Sequence, residues 1–237
     1  MWRRVWKAAR ASTIVPAMSQ RRRAVLLCGQ ARVTLGAIAR ELGRAGVPLV
    51  IQAAPAEMAA VRKLRTRANG IGGATVIRGT LGGDAESRRV VAAAWRAARA
   101  LDAVVICPAI ADGGDAATLP LDEWRDGLDA GLRAPFFLAK HAGLRMRRAR
   151  GGRLIFAIDA PARSGQIAEV VRAGLLCMFD ALTRAVAGQV DVRTVVGSGR
   201  TGAAGAADIA RGVRLLLDEE LPAGGAVLEL GPRARRG

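Results

Sequence analysis

Tyrosine is absent from the 237 residues, histidine occurs once, at His141, and aromatic residues make up only 3%. These gaps exclude mechanisms built on a tyrosine acid, a histidine dyad or a multi-histidine metal site. The three cysteines, Cys28, Cys107 and Cys177, lie far apart with no CxxC or other regular spacing. Neither a disulfide framework nor a metal site is expected from them; buried reduced thiols in a cytoplasmic protein are. The longest apolar runs, Ala24 to Cys28 and Ala103 to Ile110, are strand-sized and far short of the roughly 20 residues that a bilayer span requires. Acidic residues are also scarce, 20 against 37 Lys and Arg, which gives a net charge of +17. Seven of the basic residues precede Ala24 and three more (Arg233, Arg235, Arg236) lie in the last five, leaving 27 against 20 acids in the body. The basicity therefore belongs largely to the ends. The body also lacks the aromatic platforms that single-strand nucleic-acid binders use.

With 51% hydrophobic and 24% charged residues, the composition is that of a globular protein, and one α/β domain of up to about 250 residues accommodates it. Residues 1–22 read as a basic leader, flexible or amphipathic, residues 23–232 as a single domain, and residues 233–237 as a basic tail. In the leader, Trp2, Val5, Trp6 and Ala9 fall on one face at helical spacing with Arg3, Arg4, Lys7 and Arg10 opposite. That is the pattern of a helix lying on an anionic membrane or partner. Two alternatives stand beside it: a solvated basic tail, or a natural start at Met18. The apolar stretch that a secretory signal needs is lacking.

From Arg23 onward, strand-length apolar runs alternate with amphipathic helix-length stretches. Ala24 to Cys28 is followed by Leu35, Ile38, Ala39 and Leu42 at helical spacing, and Gly46 with Pro48 stops that helix before Leu49 to Gln52. Further strands are expected at Thr75 to Arg78, Ala103 to Cys107, Arg153 to Ile158, Val192 to Val196 and Ala226 to Leu230. Helices are expected at Asp84 to Ala100, Asp122 to Ala149, Ile167 to Ala187 and Asp208 to Leu217. The alternation predicts a Rossmann-type doubly wound parallel sheet of about seven strands with helices on both faces.

The wording of these segments resembles the short-chain dehydrogenase/reductase family over about residues 22 to 232. CGQARVTLGAIARELGRAGVPLVI is similar to the family's first strand, glycine turn and helix. LDAVVICPAI stands where LDVLVNNAGI is usual, and GLRAPFFLAK matches NLRAPFFLAK apart from its first residue. GGRLIFAID is similar to the strand carrying the catalytic serine, RAGLLCMFDALTRAVA to the lysine helix, and VRTVVGSG to RVNAVAPG. The resemblance implies an oxidoreductase using NAD(P), with the cofactor near Gly29, Gln30, Arg32, Gly36, Ala53, Thr80 and Cys107. Arg32 stands where NADP-preferring relatives place a base, so NADP(H) is the favoured dinucleotide. It also implies a homo-dimer or homo-tetramer paired through the two long helices, around Asp126 to Met146 and Val171 to Val186.

The chemical positions depart from the family. Val33 and Leu35 replace the later glycines of the turn, where side chains are expected to crowd a pyrophosphate, although Gly36 lies one position on and could serve a shifted turn. Gly131 takes the place of the family's Asn, Asp159 of its Ser, Ala168 of its Tyr and Arg172 of its Lys. Alanine cannot move a proton. Pteridine-reductase-like members also carry an Asp at the serine position, so Asp159 with Arg172 could form a reworked site. A neighbouring guanidinium would lower the Asp159 pKa, the wrong direction for an acid at neutral pH. The substrate lid is reduced to the loop RTGAAGAA between Gly199 and Asp208.

Three functional expectations follow. The first is a family member without hydride transfer, acting as scaffold, regulator or oligomer partner. The second is an NADPH-dependent carbonyl or pterin reductase that uses Asp159 and Arg172. The third is binding of a membrane or nucleic acid through the basic leader. Leu175, Phe179, Leu182 and Val186 form an apolar stripe that either pairs with a second copy or packs on the sheet. His141, beside Lys140, is expected at the surface or an interface.

Overall fold

The computed structural model describes residues 24–63, 74–110, 117–149, 151–159, 165–186, 188–197, 199–200, 202–218 and 225–230 in full, and the backbone of residues 3–5 and 64–67. The chain begins with β1 (Arg3–Val5), and the domain then runs β2 (Ala24–Gly29), α1 (Arg32–Arg44), β3 (Leu49–Ala53), a 3-10 turn (Pro55–Glu57) and α2 (Met58–Arg67). It continues β4 (Thr75–Arg78), α3 (Asp84–Ala98), β5 (Leu101–Cys107), α4 (Leu121–Leu128), a π turn (Asp129–Arg133) and α5 (Ala134–Arg148). The last elements are β6 (Arg153–Ile158), α6 (Gln166–Ala185), β7 (Asp191–Val196), α7 (Gly202–Asp218) and β8 (Ala226–Glu229).

The strands form one sheet in the order β1-β8-β7-β6-β5-β2-β3-β4. From β2 to β8 every neighbouring pair is parallel. This is the seven-stranded doubly wound sheet that the alternation predicts. The chain builds outward from β2 through β3 to β4, then returns with β5 to the other side of β2. Between the carboxyl ends of β2 and β5 lies the switch point where sheets of this type open a crevice.

Both faces of the sheet are covered, which is why its central strands read as unbroken apolar runs. Leu26, Cys28, Val104, Ile106 and Phe156 pack with α3, α5 and α6 through Val90, Leu138, Met146 and Val171. Val25, Leu27, Val105 and Ile155 pack on the opposite face with Leu35, Ile38, Ile209 and Val213 of α1 and α7. Leu175, Phe179 and Val186 of the α6 stripe are buried against the sheet. Leu182, the fourth residue of the stripe, is partly buried against the same core.

Four local departures have physical causes. Arg3–Val5 is a strand, not the helix that the spacing suggested, because its main chain pairs antiparallel with β8, Arg3 opposite Glu229; the rest of the leader and the tail lie outside the described residues. The expected helix over Asp122 to Ala149 is continuous only through the π turn at Asp129–Arg133. α7 starts at Gly202, so most of the expected Gly/Ala loop is helix, with Gly205 and Ala206 buried in it. α2 is an additional helix, too polar to show in an apolar pattern.

At the amino ends of β6 and β7, a charged cluster is buried. Asp191 Oδ2 accepts hydrogen bonds from Arg153 Nε and Arg193 Nε, both at 2.8 Å. The two guanidiniums also donate to the Leu216 carbonyl, and Arg153 to that of Leu217, satisfying the free carbonyls at the end of α7. Arg193 is fully buried. On the helical side, Asp84 at the start of α3 binds Lys140 Nζ at 2.8 Å and His141 Nε2 at 3.0 Å, tying α5 to α3. Both partners pull the Asp84 carboxyl below its usual range.

Candidate functional site

The turn after β2 is held by Cys107 on the neighbouring strand. Gly29 has φ +130°, and a Cβ there would stand 2.1 Å from the Cys107 carbonyl oxygen, so only glycine fits. That carbonyl accepts the amides of Gln30 at 3.0 Å and Ala31 at 3.3 Å. The Gly29 amide donates to Gln52 Oε1 at 3.3 Å, and Gln52 Nε2 reaches the Gly79 carbonyl at 2.7 Å. Buried Gln52 thus ties the turn to the end of β4.

α1 starts at Arg32 with no side-chain cap at Ala31 and no acid in its first turn. Its positive end is open to an anion. Two carboxylates of the chain meet it. Glu57 forms an ion pair with Arg32 Nη2, and Glu57 Oε2 also accepts the Ala54 amide at 2.9 Å. Asp159, just past β6, accepts the hydroxyl of buried Thr34 at 2.5 Å. Since β5 lies between β2 and β6, that hydrogen bond crosses the carboxyl end of β5, over the switch point.

The electrostatics follow from burial. Desolvation raises the Asp159 carboxyl above its ordinary value, and the Thr34 hydrogen bond opposes this. Burial, reinforced by the Asp159 charge and opposed by Arg32, pushes the Cys107 thiol up to about 12. Burial likewise lifts Cys28. Cys28 and Cys107 are buried, as expected, whereas Cys177 is exposed on α6.

The other expected site residues fall in different surroundings. Gly36 lies one turn inside α1, and a Cβ there would meet only the tip of Arg40 at 3.7 Å, so no shifted turn exists. Val33 points to solvent and Leu35 into the core. Ala53 is fully buried at the end of β3, and Thr80 is exposed beyond β4. Ala168 is buried. Arg172 is exposed on α6, and no ion pair joins it to Asp159, which corrects the expected direction of the Asp159 shift. A Cβ on Gly131 would stand 2.6 Å from Val171 Cγ1 and 3.1 Å from the Ala109 carbonyl. The π turn and Val171 together leave no room for a larger residue.

Thr34 and Glu57 are the two site residues that sequence reasoning missed. Glu57 was visible in principle, since Pro55 followed two residues later by an acid is the signature of a capped turn. Thr34 carried a weaker signal, a hydroxyl in the first turn of a helix with no capping residue.

A family profile described as Enoyl-(Acyl carrier protein) reductase matches residues 36–209. The chain belongs to the short-chain dehydrogenase/reductase family. Its fold is similar to that of a metagenomic short-chain oxidoreductase solved in complex with NADP, at TM-score 0.74 and 22% identity over 89% of this chain and 98% of that one. A short-chain dehydrogenase/reductase from Serratia marcescens aligns at TM-score 0.71 and 18% identity over 90% and 98%. One from Mycobacterium ulcerans aligns at 0.72 and 18% over 88% of each chain. At these identities the solved structures show the fold alone. No curated protein matches the sequence.

The fold family implies a dinucleotide, and the residues at the switch point do not fit one as they stand. The Gln30 and Ala31 amides are taken by Cys107, Arg32 is neutralised by Glu57, and the Thr34–Asp159 hydrogen bond spans the end of β5. Only the uncapped start of α1 favours a phosphate.

Proposed function

We propose that this chain keeps the family's fold without its hydride transfer and works as a scaffold, regulator or oligomer partner. The observation that carries the reading is the Thr34–Asp159 hydrogen bond, which joins two of the chain's own groups across the carboxyl end of β5. Ala168 at the place of the family's acid, in a chain with no tyrosine, and the packing of Val171 against Gly131 support it. As an oligomer partner the chain would use the outward faces of α5 and α6, where Phe136, Leu144 and Val170 are each more than 40% exposed. Light scattering of the purified protein and of Phe136→Glu tests that part, with a fall in mass expected for the variant. Purified protein given NADPH or NADH with carbonyl and pterin substrates is expected to show no turnover. Turnover that disappears in Asp159→Asn overturns the reading.

A second reading is favoured by one feature. Burial makes Asp159 hold its proton to higher pH than an exposed carboxyl does, as a general acid requires. An NADPH-dependent carbonyl or pterin reductase would then draw its proton from Asp159 alone, with Arg172 outside the site. Thr34→Val, which frees the carboxyl, would raise its turnover, whereas the first reading expects none.

A further inference from the structure

β8 is the last of the parallel strands, and the side of it that faces away from β7 is covered by β1. An uncovered sheet edge presents a row of unpaired amides and carbonyls that accepts another extended chain. β8 carries few of the features that blunt such an edge. Its sequence, AVLE, has no proline or lysine, its register with β7 runs without a bulge, and Ala226 and Leu228 are buried. β4 at the opposite edge differs, with Thr75 and Arg78 both exposed. The protection of β8 therefore falls to Arg3–Val5, whose antiparallel register sets Arg3 opposite Glu229 and Val5 opposite Val227.

That register brings Val5 to the amino end of β8, and β2 starts with Ala24 at the same end of the sheet. The two points are five strand spacings apart, about 24 Å. Residues 6–23 join them, and a chain of that length has an unconstrained r.m.s. span of about 25 Å. A tether matched to its span holds its segment at millimolar effective concentration, so β1 outcompetes a second chain at micromolar protein. We infer that β1 is a tethered guard of the β8 edge, and that its release lets two copies of this chain pair antiparallel along β8. Each copy offers one β8, so the pairing closes at two. This edge is separate from the outward faces of α5 and α6, and assembly through those faces neither requires nor precludes it.

Light scattering of the full chain tests this. Proline has no amide hydrogen to donate to a ladder, so Arg3→Pro, Arg4→Pro and Val5→Pro together release β1. The triple variant is expected to fold and to show twice the mass of the parent, in a concentration-dependent manner. A peptide of residues 1–10, added in excess, is expected to restore the parent's mass, and the same peptide N-methylated at residues 3–5 to leave the doubled mass unchanged. Hydrogen exchange of the unaltered chain needs no variant: at least one amide of residues 3–5 is expected to exchange more slowly than in the free peptide. Loss of the fold or an unchanged mass in the triple variant overturns the inference. So does growth beyond a doubling, reversal by the methylated peptide, failure of the plain one, or exchange of all three amides at the free-peptide rate. The mass of Phe136→Glu decides the assembly through α5 and α6 alone, and leaves this comparison intact.

Discussion

The hydroxyl of Thr34 in the first turn of α1 and the carboxylate of Asp159 beyond β6 meet at 2.5 Å over the carboxyl end of β5. The hydrogen bond thereby joins residues 125 positions apart across the place where sheets of this topology bind ligands. Glu57 likewise meets Arg32 one strand away. Both contacts are made by groups that neither strand patterning nor charge totals single out.

The Asp159 carboxyl provides a pH test. Its folded value is raised by burial, so the folded state binds its proton more tightly than the unfolded state does. The contribution to stability is full below the unfolded value, about 3.9, and is lost as pH rises through the folded value. Asp159→Asn removes that loss. The variant's melting temperature relative to the parent is expected to rise as pH increases above about 4; a difference that stays constant with pH would refute the burial argument.

Restoring a larger side chain at the π turn is expected to fail. Gly131→Asn drives its Cβ into Val171, an overpacking that costs about 1 to 3 kcal/mol. Val171→Ala opens the space, so the double variant should recover part of the loss in urea denaturation. Simple additivity of the two changes would show that these residues do not compete for one volume.

The buried cluster below the sheet is a matter of stability alone. Asp191→Ala leaves the Arg153 and Arg193 guanidiniums without their shared counter-charge, a loss of about 3 to 5 kcal/mol. Because the cluster sits at the amino ends of β6 and β7, away from the switch point, nucleotide titrations of folded Asp191→Ala should match those of the parent. Equal stability of parent and variant would remove the cluster's role.

Cysteine labelling reads out both burial and assembly. Cys28 and Cys107 are buried with raised thiol values, and Cys177 is exposed. A chromogenic thiol reagent should modify one cysteine per native chain and three in denaturant. Protection of Cys177 that is lost on dilution or in Phe136→Glu would place α6 in a self-association interface.

Much of the fold was legible because a strand buried on both faces must be apolar throughout, and Ala103 to Cys107 and Arg153 to Ile158 follow that rule apart from the terminal arginine. The helix over Asp84 to Ala98 showed its amphipathic period for the same reason. What failed to show were elements whose reason lies elsewhere: α2, the early start of α7 and the edge strand Arg3–Val5, which exists through its main-chain pairing with β8. In the site, Gly29 was legible as a turn glycine. The self-pairing of Arg32 with Glu57 was not, since attraction between charges depends on distance in space and not on separation along the chain.

The sequence by itself determined a doubly wound sheet and a chain without tyrosine, because periodicity and composition are properties of the chain. Only the tertiary structure decided that Asp159 faces Thr34 rather than Arg172, and that its carboxyl shifts up rather than down. The side of α6 on which Arg172 falls turns it to solvent, and desolvation then outweighs the Thr34 hydrogen bond.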